Sequence, residues 1–235
     1  MYWITRLAVL MLVLTMLSSC IRTMGCPDGA IDWVDVLMIN DVKYQHQPEE
    51  SPNQTLDPQI IKGKPIGKIK FKMADKACRD HKMLNGDATY LEEGTTVYAV
   101  KGYPKSLMVI TKDRIYIAEQ KKGAKRVGEL YPIKGLVKNI YIVNIEDNSR
   151  VHTFSTESKE RFLEEWLKLK LVNYNEMAKK GAFNEKEIFL EIELNNGVSL
   201  KLDYYANSNA FGVGANGTQS IQEILKQELA AVQGK

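Results

Sequence analysis

Residues Glu187–Tyr205, EIFLEIELNNGVSLKLDYY, alternate apolar and polar side chains on both sides of an Asn-Asn-Gly turn. A period of two marks a half-buried strand, and two such runs around a glycine turn make an antiparallel hairpin. The faces fix the register. A two-residue turn at Asn196-Gly197 would set Leu194 against Ser199 and Glu193 against Leu200, which mixes apolar with polar. A three-residue turn, Asn195-Asn196-Gly197, pairs Leu194 with Val198, Ile192 with Leu200 and Glu191 with Lys201, and the apolar face is then clean. The expected turn is type I with Gly197 in the left-handed region, followed by a bulge.

Lys138–Ser155 reads as another hairpin, and each hairpin is followed by a helical pattern, Thr156–Lys170 and Gln219–Val232. The arrangement is ββα twice, shared in type more than in register. Thr156 is placed to cap the first helix, with Glu157 in its first turn. Phe162, Leu163, Trp166, Leu167 and Leu169 form its core stripe; Ile221, Ile224, Leu225 and Leu229 do the same in the last helix. Upstream, turn pairs at Asn40-Asp41, Asn85-Gly86, Glu93-Gly94 and Lys112-Asp113 separate short strands. The Ile115–Ile117 strand is expected to pair onward, through Lys122-Gly123, with Arg126–Tyr131. Ile66, Lys68, Lys70 and Lys72 alternate with Gly67, Ile69, Phe71 and Met73, giving one basic and one apolar face. His46–Gln59 is proline-rich and aperiodic, a loop. The fold class is therefore α+β, mainly antiparallel sheet, with a β-rich region over 32–135 and a ββαββα region over 136–235.

The first residues bear on compartment. Arg6 precedes an apolar run from Leu7 to Leu17, the length of a signal h-region. It is short of the roughly 20 apolar residues of a membrane span. Leu17-Ser18-Ser19-Cys20 follows and is similar to a bacterial lipobox, in which the chain is cut between Ser19 and Cys20 and the Cys20 thiol carries diacylglycerol, with palmitate-type chains. A thiol is needed because the thioether to lipid forms on a good nucleophile. Cys26 is the rival position, but Thr23-Met24-Gly25 lacks the apolar residue at −3. The expected organisation is a signal peptide over 1–19 and a lipidated tether over 20–31. Two acyl chains, at about 0.8 kcal/mol per buried CH₂, hold a protein stably at a membrane.

Net charge is +3, too close to neutral for a dedicated nucleic-acid binder. Cys26 and Cys78 remain, in an oxidising compartment; a single bridge or two inert thiols stay open, because Cys26 sits in a tether. Cys78 and His81 have C-x-x-H spacing and are the one weak candidate for a metal pair, with Asp75 near in sequence; a metal needs three or four ligands, and a polar loop is the plainer reading. His46 and His152 are distant in sequence, and no nucleophile motif contains a histidine. Glu49-Glu50 and Glu92-Glu93 read as solvated turn charges. Lys62, Lys64, Lys68, Lys70 and Lys72 could meet anionic headgroups or wall polymers, but they read more simply as a solvated strand face.

Gly212, Gly214 and Gly217 match G-x-G-x-x-G. A dinucleotide site requires that motif between a strand and a helix in a parallel βαβ unit, with an acidic residue about 20 positions on. Here an antiparallel hairpin precedes it and too few residues follow. No nucleotide is expected; the segment reads as a loop in which Thr218 or Ser220 caps the final helix, or as a contact surface.

Asn85-Gly86-Asp87-Ala88, Leu91, Gly94-Thr95, Tyr98, Lys101-Gly102-Tyr103 and the late hairpin with Tyr204-Tyr205, taken with the lipobox, resemble an uncharacterised lipoprotein family of Gram-positive spore-forming bacteria. That resemblance implies no activity and transfers no catalytic residue. The expectation is a non-enzymatic interaction protein, lipid-anchored on the extracytoplasmic face of the cell membrane, with an envelope protein or wall polymer as partner and no cofactor beyond the lipid. The alternative is a solute- or metal-binding lipoprotein around Cys78 and His81.

Overall fold

In a computed structural model of the chain, which describes residues 34–46, 60–112 and 114–233, the fold is α+β and built on two sheets. The first contains β1 (Val36–Ile39), β2 (Val42–His46), β3 (Lys62–Lys68), β4 (Phe71–Lys72), β5 (Asp87–Ala88), β6 (Thr96–Val100), β7 (Met108–Thr111) and β8 (Arg114–Lys121). Their spatial order is β3-β6-β7-β8-β2-β1-β5-β4. Neighbours are antiparallel except β4 and β5.

The outermost strands, β3 and β4, are consecutive in the chain and separated by Ile69 and Lys70 alone. Two residues reach about 7 Å, so the two edges must meet and the sheet curls into a barrel. Ile69 makes the seam: its N–H donates to Thr95 O at 2.9 Å and its carbonyl accepts from Gly94 at 2.8 Å. Lys70 N–H then donates to Gly86 O at 2.7 Å. The run from Lys62 to Lys72 is thus one extended stretch serving both edges, and Met73 begins the helix that follows. Inside, space is tight: a Cβ on Gly67 would lie 2.9 Å from Ile39 Cδ1. Asn40 and Asp41 both take positive φ (52° and 61°), the geometry of a two-residue hairpin turn.

Val127–Leu130 is a short helix, α2, preceded in the chain by α1 (Met73–Lys76). This corrects the expected strand at Arg126–Tyr131. The side of β8 away from β7 is occupied by β2, from about 75 residues upstream. Val127, Leu130 and Tyr131 are buried at helical spacing, i, i+3 and i+4.

The second sheet contains β9 (Val137–Val143), β10 (Arg150–Thr153), β11 (Ile188–Leu194), β12 (Ser199–Tyr205), β13 (Ala210–Phe211) and β14 (Ala215–Asn216), in the order β10-β9-β11-β12-β13-β14. The β11–β12 register is the expected one: Ile192 faces Leu200 and Glu191 faces Lys201. Gly197 N–H donates to Leu194 O at 2.9 Å with φ at 83°, which makes the type I turn and its left-handed glycine. Helices α3 (Thr156–Trp166) and α5 (Gln219–Gln233) pack together; α4 (Tyr174–Lys179) lies between them in the chain. Ser155, not Thr156, caps α3: its hydroxyl accepts from Ser158 N–H at 3.1 Å. Thr218 caps α5 through Ile221 N–H at 3.2 Å.

The two regions share one apolar core. Tyr131, below the barrel, stacks on Trp166 of α3 at 5.7 Å and 10°. Val127 N–H and Gly128 N–H donate to the carbonyls of Leu169 and Leu167, both at 2.9 Å.

Candidate functional site

The glycine motif builds a turn between antiparallel strands. Gly212–Gly214 connects β13 to β14. Gly214 has φ of 86°; its carbonyl accepts from Val172 N–H at 2.8 Å, and a Cβ there would lie 2.8 Å from Val172 O. A Cβ on Gly212 would lie 2.9 Å from Asp203 Oδ2, and one on Gly217 would collide with the Asn209 side chain. These glycines are set by close backbone packing, and the antiparallel geometry is not that of a pyrophosphate turn.

Cys78 is disulfide-bonded, so it has no thiolate to offer a metal. His81 Nε2 lies 2.8 Å from the Asp87 carboxylate, and its ring lies 5.2 Å from that of Phe71. The expected weak Cys78–His81 metal pair does not form, because the Cys78 sulfur is held in a disulfide. Among the described residues no three His, Cys, Asp or Glu side chains gather as a metal site. Glu92 and Glu93 are solvated charges at a turn, as expected, and pair with Lys72 at 2.9 Å and Lys76 at 2.6 Å. Lys64, Lys68 and Lys70 are exposed, as a solvated face requires. Ser19, Cys20 and Cys26 lie outside the described residues.

Two polar groupings escaped the sequence reading. On the second sheet, Glu191 and Glu193 are 4% and 7% exposed, although alternation alone would put them in solvent. Arg150 grips Glu191 with two bonds, Nε at 3.1 Å and Nη2 at 2.7 Å, and its guanidinium lies 4.0 Å from the Tyr141 ring centre. Burial alone would raise the Glu193 carboxyl. Hydrogen bonds from Tyr141, Lys138 and Asn139 and the charge of Arg150 hold it below the usual carboxylate range. Nearby, His152 Nε2 meets buried Glu228 at 2.5 Å and ties β10 to α5. Every carboxylate in these groupings has a partner, so their arrangement is that of internal braces.

The other grouping is a cleft of about 910 Å³ between the barrel and the second sheet. Its walls come from β2, β8, α2, β12, the Gly212 turn and residues 171–175. Tyr131 lines it and is 9% exposed; no hydrogen bond reaches its hydroxyl from the described residues. Burial, then the charges of Glu119 and Asp203, push that phenol far up. Asp203 also lines the cleft. Burial first, and Glu187 second, raise its carboxyl, and no cation or hydrogen bond from the described residues offsets them. Gly212 is what lets the backbone close over this carboxylate. At the rim Tyr174 is 52% exposed and stacks on Phe183 at 4.7 Å, which meets Tyr205 at 4.9 Å.

Compared with protein-family models, curated proteins and solved structures, the chain matches none. The site must therefore be read from its own chemistry. A buried phenol and a carboxyl that keeps its proton to higher pH than usual are hydrogen-bonding groups. No serine or cysteine nucleophile stands beside a base in the cleft. The residues that make it are separated by up to 168 positions, Gln45 to Val213. The signal available in sequence was Tyr174, the exposed aromatic that opens a short helix after an Asn cap.

Proposed function

We propose that this protein is an extracytoplasmic lipoprotein, held at the cell membrane by diacylglycerol on Cys20, that acts by binding through the cleft rather than by catalysis. The lipobox supports the anchor, and the resemblance to spore-former lipoproteins agrees with it. The observation that carries the binding reading is the cleft itself, about 910 Å³ between the barrel and the second sheet, lined by Tyr131, Asp203 and the exposed Tyr174. The partner is an envelope component, and the cleft also keeps the solute-binding alternative alive in its non-metal form.

Membrane fractionation with intact mass tests the anchor. The mature protein is expected in the membrane fraction, lacking residues 1–19 and carrying diacylglycerol, and Cys20→Ala is expected to lose both. An uncleaved chain without lipid would remove the compartment reading.

The disulfide supplies an independent check. The chain has three cysteines, so Cys78 must pair with Cys20 or Cys26 within one molecule. A thioether and a disulfide cannot share one sulfur. Non-reducing peptide mapping is therefore expected to recover Cys26 joined to Cys78. Recovery of Cys20 joined to Cys78 would sink the lipid anchor.

A further inference from the structure

We infer that the cleft takes a short stretch of a neutral glycan chain, with one sugar ring on Tyr174 and its hydroxyls on Tyr131 and Asp203. The inference rests on the envelope-binding reading and chooses wall polymer over envelope protein within it. Three observations support it.

The first is balance of charge. Glu119 is paired with Lys43 at 2.9 Å, and Lys121 Nζ donates to Glu129 O at 3.0 Å. His46 is engaged through Nδ1 with Ile115 O at 2.9 Å. Lys201 and Asp203 offer one charge of each sign. No cluster of one sign is present, so neither a phosphate-rich nor a strongly cationic ligand is favoured. The second is the abundance of groups that both donate and accept: Gln45, Gln120, Asn173 and Asn175 line the cleft beside the phenol and carboxyl. Hydroxyl-rich ligands match such a set. The third is the rim. A half-exposed tyrosine, held face-on by Phe183, presents a flat apolar surface next to polar walls. Sugar rings have this same pairing of an apolar C–H face and a polar edge. The volume lies toward the upper end of the usual range for ligand pockets, about 300–1,000 Å³, and exceeds the needs of a single ring.

The test uses the mature chain carrying Cys20→Ala, which stays in solution, titrated calorimetrically with N-acetylglucosamine, its β-1,4-linked tetrasaccharide, and protein-free wall sacculi. Saturable binding of tetrasaccharide and sacculi is expected, at least tenfold stronger than for the monosaccharide. Tyr174→Ala is expected to weaken binding by tenfold or more; its side chain is exposed enough that the fold should not depend on it. Tyr131→Phe keeps the stack on Trp166, loses only the hydroxyl, and is expected to weaken binding several-fold. Lys68→Ala, on the barrel face, is expected to bind like the parent. No saturable binding to tetrasaccharide or sacculi, or affinity unchanged in both tyrosine variants, overturns the glycan assignment; so does a benzophenone at position 174 cross-linking to an envelope protein to an extent that added tetrasaccharide does not reduce. Intact mass separates this failure from the other: a lipidated protein that ignores glycans loses the ligand class alone, whereas an unlipidated one loses the envelope reading.

Discussion

Trp166→Ala is expected to lower the free energy of unfolding by about 3–5 kcal/mol, the range for truncating a buried large aromatic. Trp166 is fully buried and stands at the meeting point of the two regions. It stacks on Tyr131 at 5.7 Å and on Phe162 at 6.0 Å, and meets the edge of Phe211 at 6.2 Å. The cavity would open where the barrel-side segment, α3 and the second sheet converge, and none of the three can close it alone. For a chain of this size the loss corresponds to a fall in Tm of roughly 10 °C. Both regions should melt together. Near-ultraviolet signals from barrel tyrosines and from the second sheet would move in one transition, in wild type and variant alike. Two separated transitions, with the barrel signal unmoved by the substitution, would mean two independent cores. Trp166→Phe should cost less, because the indole Nε1 has no hydrogen-bond partner in the described structure and its removal forfeits volume only.

What the sequence disclosed follows from the range of the forces involved. The β11–β12 register was legible because face alternation and a glycine turn act within nineteen residues. The helices α3 and α5 were legible from their stripes. Barrel closure was not, because it rests on β2 pairing with β8 and on Ile69 bridging two edges, contacts that no local period encodes. Alternation also misled at Glu191 and Glu193. It correctly placed them opposite the apolar face, but burial of that second face depends on Arg150 and Tyr141 from neighbouring strands. The cleft was hidden for the same reason. Its useful residues, Tyr131, Tyr174 and Asp203, belong to three separate elements, and each looks ordinary in its own stretch of chain. The glycine motif shows the converse: a pattern easily seen locally, whose meaning is set by Val172 and Asp203 pressed against it.

Arg150→Met is expected to destabilise the protein by about 3 kcal/mol at pH 7, because removing one partner of a buried ion pair strands the other. Arg150 is 17% exposed at the side chain and Glu191 5%, so the stranded carboxylate has little access to water. Glu193 loses a cation as well, at 3.8 Å. The pH dependence identifies the cause. In the wild type the Glu193 carboxyl is held below its ordinary value, so the folded state binds its proton more weakly than the unfolded chain does. That contribution is fully present above the unfolded carboxylate range, near about 4.3, and is lost as pH falls through the lowered folded value. Without Arg150 the balance at Glu193 shifts toward burial, which favours its protonated form. Stability of the variant should then rise, or fall less, as pH drops from 7 toward 4.5, and the gap from wild type should narrow. Urea unfolding at both pH values measures it. A gap of equal size at pH 7 and 4.5 would show that lost packing over the Tyr141 ring, rather than uncompensated charge, causes the destabilisation. The double variant Arg150→Met with Glu191→Leu supplies the complementary result: it removes both charges, leaves an apolar pair of similar volume, and should recover most of the stability that Arg150→Met alone loses.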